Sequence, residues 1–136
     1  MPIVVDASTA LSWCFEDESS PYSEKVLSLL ANEGAVVPAI WPVEVTNALI
    51  VGERRKRLTE AQAARFVQLL GQLPIDIDSP SSAITFGAVL STARSHSLSA
   101  YDASYVEVAE RHGLPLASLD ARLRKAASAA GVALLD

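Results

Sequence analysis

The stretch Pro2-Ile3-Val4-Val5-Asp6-Ala7-Ser8-Thr9-Ala10-Leu11 gives the first clue to the architecture. Pro2 to Val5 is a short apolar run closed by the charge of Asp6, and it reads as a buried strand. Ala7 to Phe15 follows as a short apolar helix. A strand that is apolar throughout is covered on both faces, which is how a parallel sheet reads.

Strands and helices keep alternating from there to the other end of the chain. An acidic loop, 16–21, leads into a helix over about 22–32, closed by Asn32 and Gly34. Ala35 to Val37 is a second strand. Pro42 suits the first turn of a helix running to Arg57, and Thr59 followed by Glu60 opens another that stops at Gly71. Leu73 to Ile77 is a third strand. Residues 81–95 and 99–111 form two more helices, the second ending at His112-Gly113. Leu114 to Ala117 is a fourth strand, 120–130 a short helix, and Val132 to Leu135 a last strand. Short apolar strands separated by helices predict a three-layer α/β/α sandwich around a short-stranded parallel sheet. In open sheets of this kind, ligands bind beyond the carboxyl ends of the strands.

At 136 residues, with no repeat or linker, the chain is expected to form a single domain, 1–136. Half the residues are hydrophobic and a fifth are charged, which excludes a disordered chain. Cys14 is the only cysteine, so no internal disulfide can form. No apolar run approaches ~18 residues without a charge, so a membrane span is not expected. The start of the chain lacks a basic region and carries Asp6 and Glu16, unlike a signal peptide, so the expected compartment is the cytoplasm. With 11 basic and 16 acidic residues the net charge is −5, and contact with nucleic acid would need a local patch.

Four acids stand where ligands are expected. Asp6 ends the first strand and Asp120 comes just after the fourth. Glu44 and Asp102 sit in the first turns of their helices. Each has a local explanation as a cap or as a charge favoured by the helix dipole. Ser99-Ala100-Tyr101-Asp102 also fits a capping box. The helix faces argue further. Asp102 lines up with Tyr105, Val106 and Ala109, and Glu44 with Asn47, Ala48 and Val51, both on apolar sides. Two like charges about 4 Å apart repel by about 4 kcal/mol at an effective dielectric of 20. A domain's net stability is only about 5–15 kcal/mol. Converging carboxylates therefore need protons or a cation. An all-oxygen site suits Mg2+ or Mn2+. One cysteine and two histidines, His96 and His112, speak against zinc or iron.

Ser8 and Ser118, each two residues from a strand-end acid, could orient carboxylates or water, or simply bond the local backbone. Arg122, Arg124 and Lys125 follow Asp120 closely and could meet phosphate. The denser run Arg54-Arg55-Lys56-Arg57 reads first as a solvated helix end, with contact to a phosphate-bearing partner as its alternative. Cys14 lies in an apolar helix and reads as core.

Val5-Asp6-Ala7-Ser8 with Trp13, Pro42-Val43-Glu44-Val45-Thr46-Asn47-Ala48-Leu49, Tyr101-Asp102-Ala103-Ser104-Tyr105 and Leu116-Ala117-Ser118-Leu119-Asp120 occur in that order. Together they resemble the PIN-domain ribonucleases, most closely the VapC toxins of toxin–antitoxin pairs, over essentially the whole chain. The resemblance implies that Asp6, Glu44, Asp102 and Asp120 are the catalytic, metal-binding acids, with Ser8 and Asn47 in support. The fourth acid is the least uniform in the family, and Arg122 occupies a position where many members carry a further polar group.

The resemblance also implies Mg2+- or Mn2+-dependent hydrolysis of RNA, leaving 5′-phosphate and 3′-hydroxyl ends. A cognate antitoxin is expected as partner. The long apolar helices at 42–57 and 59–70 exceed the needs of one small core and predict a homodimer. Three rivals compete: a receiver-like signalling module, an adhesion module with a DxSxS loop, and a PIN-like fold without catalysis. Asp78 is poorly placed for the first, Asp6-Ala7-Ser8-Thr9-Ala10 lacks the second serine of the next, and four intact acids oppose the last.

Overall fold

Val4–Val5 (β1) lies parallel to Leu116–Ala117 (β4), with Val4 opposite Leu116 and Val5 opposite Ala117. All four are completely buried. The computed structural model describes residues 1–136. A second parallel ladder joins Ala35–Pro38 (β2) to Ile75–Asp78 (β3). Single bridges, Ile3 to Ala35 and Leu116 to Leu134, connect the ladders. The strand order is thus β3-β2-β1-β4, with Leu134 beyond β4, and every pairing is parallel. This is the expected α/β architecture.

The helices begin and end where local chemistry allows. Asp6 caps Ala7–Leu11 (α1), accepting from Thr9 N–H. Pro21–Glu33 (α2) opens with a reciprocal Ser20–Ser23 capping box and Pro in its first turn. It stops at Gly34, whose φ of 84° few other residues adopt. Trp41–Arg54 (α3) also has Pro in its first turn, and Glu60–Gln72 (α4) starts from a Thr59–Gln62 capping box. Ser82–Ile84 (α5), a π-helical stretch Thr85–Val89, and Leu90–His96 (α6) lead to Ala100–His112 (α7). Ala121–Ala129 (α8) completes the set. One cluster of buried side chains, including Val26, Leu30, Val37, Leu49, Tyr105 and Leu123, fills the space between sheet and helices.

Several expected boundaries move. The first helix ends at Leu11 rather than Phe15, and a 3-10 turn, Glu16–Glu18, follows. The helix expected over 42–57 ends at Arg54, so Arg57 is not part of a solvated helix end. Its guanidinium lies 4.2 Å from the Phe15 ring centroid and pairs with Asp17 and Glu18 at 3.1 and 2.9 Å. α4 runs one residue past Gly71, to Gln72, and ends at Leu73. The helix expected over 81–95 is interrupted by its π-helical turn. β3 was expected to be covered on both faces, yet it is an edge strand with Ile77 exposed. The strand expected over 132–135 is reduced to the Leu134 bridge, held by Leu116 N–H to Ala133 O and Leu135 N–H to Leu116 O, both 2.9 Å.

Gly52 marks the tightest packing. A Cβ there would stand 2.5 Å from Leu58 Cδ2 and 3.0 Å from Phe15 Cζ. Gly52→Val should therefore destabilise the protein by about 1–3 kcal/mol through overpacking, read as a lower urea midpoint at unchanged slope.

Candidate active site

The parallel β1–β4 pair ends at one level, and this brings Asp6 against Ser118. Asp6 is buried at 4% exposure. Its Oδ1 accepts from Thr9 N–H at 2.9 Å, and its Oδ2 accepts from Ser118 Oγ at 2.6 Å and Ser8 Oγ at 3.2 Å. Every one of these donors is neutral. Ser118 Oγ also accepts from Asp120 N–H at 3.0 Å, and Thr9 Oγ1 accepts from Leu119 N–H at 3.1 Å. The turn after β4 is thereby tied to the turn after β1.

Glu44 arrives from the first turn of α3, and Asp102 from the first turn of α7. The fully buried Tyr105, one helical turn beyond Asp102, donates its hydroxyl to Glu44 Oε1 at 2.6 Å. Burial raises the proton affinity of Glu44, and the charges of Asp102 and Asp6 add to it against the opposing pull of the Tyr105 bond. Asp102 is raised likewise by burial, then by Asp120 and Asp6, with Arg122 pulling the other way. Burial, followed by the neighbouring Glu44, pushes the Tyr105 hydroxyl far above its ordinary range. Glu44 and Asp102 therefore each lie within reach of the charge of acids distant in the sequence.

The four are not equal. Asp120 is exposed and caps α8, its Oδ1 accepting from Arg122 N–H at 2.9 Å and Leu123 N–H at 3.3 Å. Its local role is the one any N-cap acid plays. Asn47 is exposed one turn along α3 from Glu44, and Ser8 is exposed beside Asp6. No group of three His, Cys, Asp or Glu side chains is close enough to ligate one ion directly. The donor set nonetheless suits a hard dication held by one or two carboxylates and by water, as Mg2+ prefers. Arg122 is the one cation that eases the charge on Asp102.

Arg122 is exposed and donates to Ser97 O at 3.2 Å, and Lys125 is exposed. Arg124 does not stand free to meet phosphate as expected. Its Nη1 turns inward to Ser118 O at 3.1 Å. Burial and Glu18 raise the Cys14 thiol, which fits a packing residue rather than a nucleophile. Tyr105 is the site residue that sequence reasoning missed in its own right. Its place on the Asp102 face was visible, but its bond to Glu44, 61 positions away, was not.

The raised carboxyls have a consequence for stability. A group whose proton binds more tightly in the folded state stabilises the fold when protonated and loses that contribution as pH rises. Glu44→Gln keeps an acceptor for Tyr105 and removes the charge. In chelator at pH 7–8 it should melt a few degrees above wild type, the gap closing below about pH 4. Thermal denaturation across that pH range checks this.

The PIN domain family profile matches residues 3–129. Ribonuclease VapC3 of Pyrobaculum aerophilum is 30% identical over 123 residues, spanning 90% of this chain and 92% of its own length. The crystal structure of PAE2754 from Pyrobaculum aerophilum is similar at TM-score 0.69 and 25% identity, over 93% of this chain and 84% of that one. FitAcB from Neisseria gonorrhoeae is similar in fold at TM-score 0.67 and 19% identity, over 98% and 96% of the two chains.

Proposed function

The chain belongs to the PIN-domain family, and from that premise we propose that it is a Mg2+- or Mn2+-dependent endoribonuclease, the toxin of a toxin–antitoxin pair whose cleavage of RNA inhibits translation or growth. The reading takes residues 1–136 as one nuclease domain working in the cytoplasm. The observations that support it are the Tyr105–Glu44 bond, which holds Glu44 against the helix that carries Asp102, and the buried Asp6 bonded to Ser118 beside Asp120, together with a relative bearing the name ribonuclease.

Asp6, Asp102, Glu44 and Asp120 are the residues to hold the dication. Bound among them, it supplies Lewis acidity toward a phosphodiester and favours ionisation of water. Glu44 has one oxygen engaged by Tyr105. The other is free to take a proton from the attacking water, a task that suits a carboxylate of raised proton affinity. Ser118, Ser8 and Thr9 fix the direction of the Asp6 oxygens. Arg122 and Lys125, exposed on α8, are placed to meet RNA phosphates.

An antitoxin would silence this site by presenting Arg or Lys to the acids, where charge complementarity is greatest. Val43 and Ile50 on α3 and Val67 on α4 are exposed, which supports a second copy of this chain as a further partner. A receiver-like module has less in its favour. The acid it would borrow, Asp78, is engaged by Arg111 Nη1 at 3.1 Å and His112 Nε2 at 2.9 Å.

Asp6→Asn should abolish metal-dependent RNA cleavage while far-UV circular dichroism stays that of wild type. A fully active variant would refute the assignment. Millimolar Mg2+ or Mn2+ should raise the melting temperature of wild type by binding the folded state, and raise that of Asp6→Asn much less. An identical rise in both proteins would place the ion elsewhere.

A further inference from the structure

Arg124 is the fourth residue of α8, and sequence alone offers it to the RNA. The structure gives it internal work. Its Nη1 is shared among Ser118 O at 3.1 Å, Leu135 O at 3.4 Å and Tyr22 Oη at 3.4 Å. Its guanidinium lies 5.8 Å from the Tyr22 ring centroid. Tyr22 Oη in turn donates to Leu135 O at 2.7 Å. Three segments meet on one cation: α2 through Tyr22, the end of β4 through Ser118, and the segment beyond β4 through Leu135.

We propose that Arg124 is a positioning residue for the Asp6 carboxylate, acting through Ser118; this rests on the ribonuclease reading and specifies how its site is held. Ser118 is fully buried, and its two ends do different things. Its carbonyl is gripped by Arg124, and its hydroxyl gives Asp6 the shortest of that carboxylate's bonds, 2.6 Å. With the carbonyl fixed, the peptide plane after Ser118 cannot swing. The hydroxyl then stays aimed at Asp6 Oδ2 while it accepts from Asp120 N–H at 3.0 Å. Releasing the carbonyl leaves the peptide after Ser118 held only at its Leu119 N–H, by Thr9 Oγ1, and loosens the turn that carries both Ser118 and Asp120.

A lysine cannot reproduce the arrangement fully. Its compact ammonium could serve the oxygens that Nη1 meets, but it lacks the planar group that lies beside the Tyr22 ring. The hydrogen-bond partners of Arg124 are carbonyl and hydroxyl oxygens, so it holds Ser118 without pairing with a carboxylate. Partners one step removed from a metal-binding carboxylate matter at this level, typically 10–100-fold in affinity or activity.

The test compares wild type, Arg124→Lys, Arg124→Ala, Ser118→Ala and the double variant Arg124→Ala/Ser118→Ala. In metal-free protein, Arg124→Ala should speed amide hydrogen exchange at Asp120 and Leu119 about tenfold or more. The amides of Val4 and Asp6, paired to Pro115 and Ala117, should keep their protection. With Mn2+ and a single-stranded RNA, kcat should fall about tenfold at a KM within about twofold of wild type. Arg124→Lys should recover part of that loss, and the double variant should be no worse than Ser118→Ala, as expected of residues acting through one another.

A raised KM with kcat retained and a shallower salt dependence would overturn the proposal and make Arg124 a phosphate contact. Multiplicative losses in the double variant would overturn it too. So would uniform loss of protection across β1 and β4, which marks general destabilisation. Should wild type itself cleave no RNA, the ribonuclease reading falls. The exchange measurement then still decides whether Arg124 holds the Ser118 turn.

Discussion

Repulsion among carboxylates is the force this fold must contain. Asp6 is buried and Glu44 and Asp102 are half-buried; burial first, and then the charge of neighbouring acids, raises the proton affinity of Glu44 and Asp102. The surroundings answer mainly with neutral donors, from Thr9, Ser8, Ser118 and Tyr105. Such donors fix direction and partly replace lost hydration, yet they leave the negative charge in place. A site built this way is poised for a cation. Arg111 shows the contrasting solution: Glu107, equally buried, receives a direct ion pair from it at 2.7 Å, and Asp78 shares the same guanidinium. Glu107 and Asp78 are thus neutralised by Arg111, whereas Asp6 is held by neutral donors alone.

The route from sequence to fold ran through strand ends. Val4–Val5 and Leu116–Ala117 were legible because a short apolar run next to an acid has few readings. That they pair in parallel followed from the alternation of strands and helices; that β1 lies beside β4 did not. What was not legible depended on partners remote in the chain. Ile77 has the composition of a buried strand residue, but β3 falls at the sheet edge and exposes it. Gly71 resembles a helix stop, but a glycine ends a helix only where the chain has to turn. The π-helical turn at Thr85–Val89 carries no periodic signature at all.

The site was legible to the same depth. Residue type and position on a helix face picked out Asp6, Glu44 and Asp102. The cap that Asp120 forms on α8 was one of its readings, but they could not say that Arg124 would turn inward, or that Arg57 would clamp Phe15 and the Glu16–Glu18 turn. Those choices belong to side chains with several rotatable bonds, and tertiary neighbours decide among their conformers.

The sheet also has an open rim. β3 presents its outer row of peptide groups to solvent, and a flat apolar rim would invite another molecule's strand to add itself. Asp76 and Asp78 alternate with Ile75 and Ile77 along those four residues. Asp78 is already paired with Arg111 and His112, but Asp76 is exposed, so a second molecule aligning its own β3 there would meet like charge, and a four-residue strand offers few new bonds in return. One exposed acid on so short an edge therefore tilts the balance against strand-by-strand growth from copy to copy.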